Sequence, residues 1–145
     1  YKKIGKHKLL QKVLDDLIKR EMGFFQDIDD KRYILVKSKV IQNKFESVKP
    51  EVIGYDFYHK GIIGDYAIGI ISFQNEKMKS LTLCVTIVED VQQDTLTNLI
   101  KIIKNEFKLQ ENQLFMTDNS KSQIISITEN NFDFILCKFH LICCL

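Results

Sequence analysis

The chain has 145 residues, 45% of them hydrophobic, and a formal net charge of +2. That is apolar material for one domain with a core, and its near-neutral balance gives no bulk electrostatic pull toward nucleic acid. The longest apolar run without a charge, Tyr66 to Asn75, is far below the about 20 residues a membrane helix requires, and the lysine-rich start lacks the apolar region of a signal peptide.

Leu9, Leu10, Val13, Leu14, Leu17 and Ile18 recur at the spacing of one helix face, which predicts an amphipathic helix from Lys8 to Met22, stopped by Gly23. The five lysines between Tyr1 and Lys12 read as its solvated end. Phe24 to Ile28 and Arg32 to Val36 flank the acidic turn Asp27-Ile-Asp-Asp30 and predict a short hairpin. Ser38 can cap a helix running to Phe45, which Lys49-Pro50 ends. Residues 1–50 are therefore expected to form a small α+β extension ahead of a core at 51–145.

From Glu51 the pattern changes to strands. Val52 to Asp56, Tyr66 to Gln74 and Leu81 to Val88 are rich in β-branched and aromatic residues, the last two joined through Asn75 to Lys79. Leu96, Leu99, Ile100, Ile103 and Phe107 then mark a helix from Thr95 to Phe107. A strand at Gln113 to Thr117, a helix at Ser120 to Glu129, a strand at Asp133 to Leu136 and a helical start at Lys138 complete the order β-β-β-α-β-α-β-α. Three antiparallel strands followed by crossovers imply an α/β fold, a mixed five-stranded sheet with flanking helices. The ribonuclease H-like fold uses this element order, and in it the first and fourth core strands lie side by side.

Asp56 and Asp118 fall at the carboxyl ends of those two strands, where open α/β sheets place their chemistry. Two facing carboxylates repel each other when ionised and are relieved by Mg²⁺ or Mn²⁺, which can also clamp the oxygens of a phosphodiester displacement. Asp118 equally suits a helix cap, since Asp118-Asn119-Ser120 precedes a predicted helix, and one residue can serve both purposes. Glu89 and Asp90 read as a solvated strand end.

His59 and Lys60 lie just beyond Asp56. Lys60 could meet a phosphate, and His59 is either a substrate contact or an exposed loop residue. Cys137 and His140 at i, i+3 could supply half of a zinc site, yet Cys143 and Cys144 are too close in sequence to complete a tetrahedron, so zinc is not expected. Four cysteines, three of them clustered after Leu136, do not make a disulfide framework, and reduced thiols in an intracellular setting are expected. Gly61 and Gly64 precede a strand rather than a helix and form no phosphate loop.

Val48-Lys-Pro-Glu-Val-Ile-Gly-Tyr-Asp56 with Lys60, then Phe115-Met-Thr-Asp118, Asn131-Phe132 and Cys137-Lys-Phe-His140 together resemble the Mutator-like element (MULE) transposases and the related domain of zinc finger SWIM domain-containing proteins. The resemblance spans roughly residues 23–145. It implies a ribonuclease H-like core in which two aspartates and a glutamate bind two Mg²⁺ or Mn²⁺ ions to cut and join DNA. By position Asp56 is the first acid and Asp118 the second, with Lys60, His59 and His140 near substrate, and a nuclear location follows. The family's glutamate lies beyond the Cys-x-x-His and is not reached. The family's Asp-x-Thr-Tyr-Lys-Thr run stands here as Asp56-Phe-Tyr-His-Lys-Gly61, without either threonine, and the proline usual ahead of the second strand is replaced around Ala67. The chain, which starts on Tyr1 and stops on Leu-Ile-Cys-Cys-Leu145, is accordingly expected to be part of something longer and inactive as it stands. A non-catalytic scaffold for DNA, a protein partner or a second copy is the alternative.

Overall fold

A computed structural model of the protein describes residues 11–12, 15–16, 19–20, 23–28, 31–58 and 66–137. The described residues between 11 and 19 are helical, as the amphipathic spacing predicts. Seven strands and three further helices follow in the order β1 (Gly23–Ile28), β2 (Lys31–Lys37), α1 (Lys39–Val48), β3 (Val52–Tyr58), β4 (Ala67–Gln74), β5 (Ser80–Val88), α2 (Gln93–Phe107), β6 (Leu114–Thr117), α3 (Lys121–Glu129) and β7 (Asp133–Leu136). The predicted helical start at Lys138 lies outside the described residues.

All seven strands belong to one sheet, ordered β1-β2-β5-β4-β3-β6-β7. The five strands expected in the core are thus extended by the β1–β2 hairpin, because β2 pairs antiparallel with β5 from Tyr33 opposite Val88 to Lys37 opposite Cys84. Burial explains the extension: Tyr33 and Leu35 are fully buried in the same core as Phe45, Leu99 and Phe115. Leaving β2 as a detached preface would expose both side chains to water, at about 1.5–3 kcal/mol for each large apolar group.

β4 runs antiparallel to both β3 and β5, whereas β6 is parallel to β3 and β7 parallel to β6. Parallel neighbours need a crossover, and α2 and α3 supply the two crossovers. α1, α2 and α3 all pack on one face of the sheet, where helices flanking it are expected. Phe45 of α1, Leu96, Leu99, Ile100 and Ile103 of α2 and Ile127 of α3 all enter one core cluster with Ile53, Tyr55, Ile71 and Phe115 of the sheet. Aromatic edges tie this layer together, Phe45 against Phe73 at 5.3 Å and Phe115 against Phe132 at 5.3 Å between ring centroids.

The opposite face carries Ile34 and Ile87, buried with Val36 and Tyr66 packed against them. Farther along that face, Met116 is 37% and Ile135 40% exposed, from residues paired across β6 and β7. No helix of the described residues is long and apolar enough to cross a membrane.

Local chemistry sets the element ends. Lys49 and Lys108 both take the left-handed conformation that closes α1 and α2, with Pro50 directly after the first. Asp94 in the first turn of α2 and Lys104 in its last turn match the helix dipole. Between β4 and β5, Asn75 Oδ1 accepts from the N–H groups of Lys77 at 3.0 Å and Lys79 at 2.9 Å, folding the loop back on itself. Ser38 stands at the N-cap of α1 as predicted, yet its side chain makes no cap bond.

Candidate metal centre

β3 and β6 bring the two candidate acids to one end of the sheet. Their parallel register pairs Val52 with Leu114, Ile53 with Phe115 and Gly54 with Met116. Continued by two residues, the same register sets Asp56 beside Asp118. Both are half-buried, and both line one open cavity of about 190 Å³ with Gly54, Tyr58, Ser72 and Cys137.

Asp56 is not the last residue of its strand. β3 continues to Tyr58, pairing Phe57 with Gly69 and Tyr58 with Ile68, because Phe57 buries its ring against Tyr55 at 5.3 Å. The carboxylate therefore stands on the sheet face rather than beyond the sheet edge, and its Oδ1 accepts from the Phe57 N–H at 3.0 Å. Asp118 does leave the sheet, one residue after β6. Its Oδ1 accepts from the Ser120 N–H at 3.0 Å, in the turn that starts α3, while the Ser120 side chain makes no cap bond. The structure thus gives Asp118 a turn-forming role and a place in the cavity at once.

The floor of the cavity is kept low by Gly54, where a Cβ would lie 2.5 Å from Ser72 Oγ. A second depression of about 470 Å³ shares Gly54, Ser72 and Met116 with it and runs toward Glu51 and Asn75. The exposed face of β3, β4 and β6 is in this way a continuous shallow groove with the two aspartates at one end.

The donor set suits a hard divalent cation. Carboxylate oxygens are the preferred ligands of Mg²⁺ and Mn²⁺, and Mg²⁺ in particular is often held by one or two protein carboxylates, with water or phosphate completing its shell. Among the described residues no group of three or more His, Cys, Asp or Glu side chains gathers as a metal cluster. Cys137 is half-buried in the same cavity, a soft sulfur beside hard oxygens. Its N–H donates to Thr117 O at 2.7 Å, which fixes the chain as it passes Asp118. Cys84 is buried in the core, where burial pushes its thiol up and leaves it an unreactive apolar group.

His59, Lys60 and His140 lie outside the described residues, as do Cys143 and Cys144. Glu89 is not drawn to the aspartates' cavity, and Asp90 is engaged elsewhere. Asp90 Oδ1 accepts from the Gln92 N–H at 3.0 Å and from the Thr95 hydroxyl, and Lys31 Nζ lies 3.2 Å from its Oδ2. Burial pushes the Asp90 carboxyl up, but these hydrogen bonds and the ammonium outweigh it and hold the group below its ordinary value. Reading strand ends alone did not reveal the buried polar set behind the cavity, Tyr55, Thr117, Gln123 and Ser126. Gln123 and Ser126 stand in the sequence as ordinary polar helix residues, and only their burial picks them out.

Comparisons with protein-family models, curated proteins and solved structures return no match to this chain.

Proposed function

We propose that the chain is a ribonuclease H-like domain of transposase descent that binds Mg²⁺ or Mn²⁺ between Asp56 and Asp118, with DNA as its ancestral partner. The observation that carries it is the pair of aspartates, one within β3 and one directly after its parallel neighbour β6, lining one cavity. The strand order β5-β4-β3-β6-β7, antiparallel on one side of β3 and parallel on the other, supports the ribonuclease H-like reading, with the β1–β2 hairpin added beyond β5. The resemblance of the Tyr55-Asp56, Thr117-Asp118 and Cys137-x-x-His140 runs to MULE transposases adds the lineage.

A divalent ion at this site would supply charge stabilisation to phosphate oxygens. Asp56 and Asp118 would hold it, and the turn at Ser120 and the ladder through Phe57 would keep their backbones in place. Among the described residues the two carboxylates have no third acid beside them, and a complete two-metal strand transfer would call on a further ligand. Calorimetric titration with Mn²⁺ tests the proposal, with heat expected from the intact protein and none from Asp56→Ala. Incubation with plasmid DNA and Mn²⁺ is expected to leave the DNA uncut, and cleavage that disappears in Asp56→Ala would show a complete active site instead.

The exposed sheet face around Met116 and Ile135 favours a second reading, a non-catalytic scaffold that uses the same fold to hold a partner. Absence of any Mn²⁺ heat would favour it.

A further inference from the structure

Strand alternation turns the residue before each aspartate to the other side of the sheet. Tyr55 and Thr117, each 1% exposed, therefore lie directly behind the cavity, under α3. Gln123 and Ser126 of α3, equally buried, reach Tyr55 there. Gln123 Nε2 donates to Tyr55 O at 3.4 Å, and Ser126 Oγ donates to Gln123 O at 2.6 Å. With its hydrogen spent on that carbonyl, Ser126 Oγ is left as the acceptor for the Tyr55 hydroxyl 3.3 Å away. One turn earlier the Ser120 N–H is bonded to Asp118. The first two turns of α3 thus hold the backbone behind Asp56 and the side chain of Asp118 together.

Two atoms of this set, Thr117 Oγ1 and Gln123 Oε1, are buried without a partner. A buried amide with an orphaned oxygen is a poor choice for stability, and an apolar side chain would fill the same space without that penalty. The distinctive thing Gln123 does is hold the Tyr55 carbonyl, one residue from Asp56.

We infer that Gln123 is a positioning residue for the metal centre, setting the gap between the Asp56 and Asp118 carboxylates from behind the sheet. This rests on the metal-binding reading proposed above. Groups that orient metal ligands from behind typically change affinity 10- to 100-fold when removed.

The test is Mn²⁺ titration of the full chain and of Gln123→Met and Gln123→Leu, with melting temperatures measured alongside. Both variants keep volume and helix propensity while removing the amide. The expected result is a Kd weakened about ten-fold or more with the melting temperature unchanged or raised. Ser126→Ala, which leaves the Gln123 amide on Tyr55 O, is expected to bind Mn²⁺ within about two-fold of the parent. A Kd unchanged in both Gln123 variants, beside a parent that binds, would overturn the inference and leave the metal site standing. A melting temperature lowered by both variants would assign Gln123 to the core instead. A parent that binds no Mn²⁺ would overturn the metal site and this role with it.

Discussion

Asp118 Oδ1 accepts the backbone N–H of Ser120 at 3.0 Å while the same carboxylate borders the cavity it shares with Asp56. Turn formation and the proposed metal binding can be separated at this residue, because asparagine also accepts in such turns but carries no charge. Asp118→Ala is expected to lower stability by about 1 kcal/mol, the usual cost of losing such a side-chain acceptor at a helix start. Asp118→Asn should retain that stability in urea unfolding. Equal losses in both variants would mean that the charge, not the turn, stabilises this end of α3.

The Lys31, Asp90 and Thr95 cluster fastens the start of β2 to the start of α2, with Lys31 Nζ also 2.7 Å from Thr95 Oγ1. The Asp90 carboxyl is held below its ordinary value in the fold, so it binds protons more weakly there than in the unfolded chain. Its contribution is present above the unfolded carboxyl range near pH 4 and is lost as the pH falls through the folded value. Asp90→Asn should be less stable than the parent at pH 6–7, and the difference should shrink as the pH is lowered below about 4. Urea midpoints measured across this range would show it, and a constant difference would contradict it.

Two glycines in neighbouring strands differ in what crowds them. At Gly69 a Cβ would meet the Phe57 ring at 2.6 Å and Thr86 Oγ1 at 2.5 Å, groups that are themselves packed. At Gly54 it would meet the Ser72 hydroxyl at 2.5 Å, a side-chain end that can rotate. Gly69→Ala should cost about 2–3 kcal/mol and Gly54→Ala about 1 kcal/mol. In a Ser72→Ala background the cost of Gly54→Ala should largely vanish, a coupling that a double-mutant cycle in urea reads directly.

Much of the sheet was legible in the sequence because periodicity reports burial. The alternation of Val52 to Asp56 and the i, i+3, i+4, i+7 spacing of Leu96, Leu99, Ile100 and Ile103 each name a buried face, and those elements form where the spacing puts them. The pairing of β2 with β5 was not legible. Two strands separated by α1, β3 and β4 carry no local mark of their long-range partner, and Tyr33 and Leu35 show only that some partner exists. The strand was expected to end at Asp56 and instead runs to Tyr58, although the aromatic residues Tyr55, Phe57 and Tyr58 already suit sheet packing.

Of the candidate site, Asp118 was legible because it sits where β6 runs out, and Asp56 because an acid closes the apolar alternation from Val52, although β3 continues past it. The packing of α1, α2 and α3 on one face, with Met116 and Ile135 exposed on the other, is set in three dimensions. So is the buried layer behind the aspartates. Gln123 reads in the sequence as an ordinary polar helix residue, and only its burial beneath Tyr55 distinguishes it.

The central claim is that Asp56 and Asp118 together hold a divalent cation. Calorimetric titration of the parent, Asp56→Ala and Asp118→Asn with Mn²⁺ at neutral pH tests it most directly. The account predicts saturable heat for the parent and its loss in each variant taken singly, while both variants stay folded by urea unfolding. Mn²⁺ heat that persists unchanged in both folded variants would contradict it.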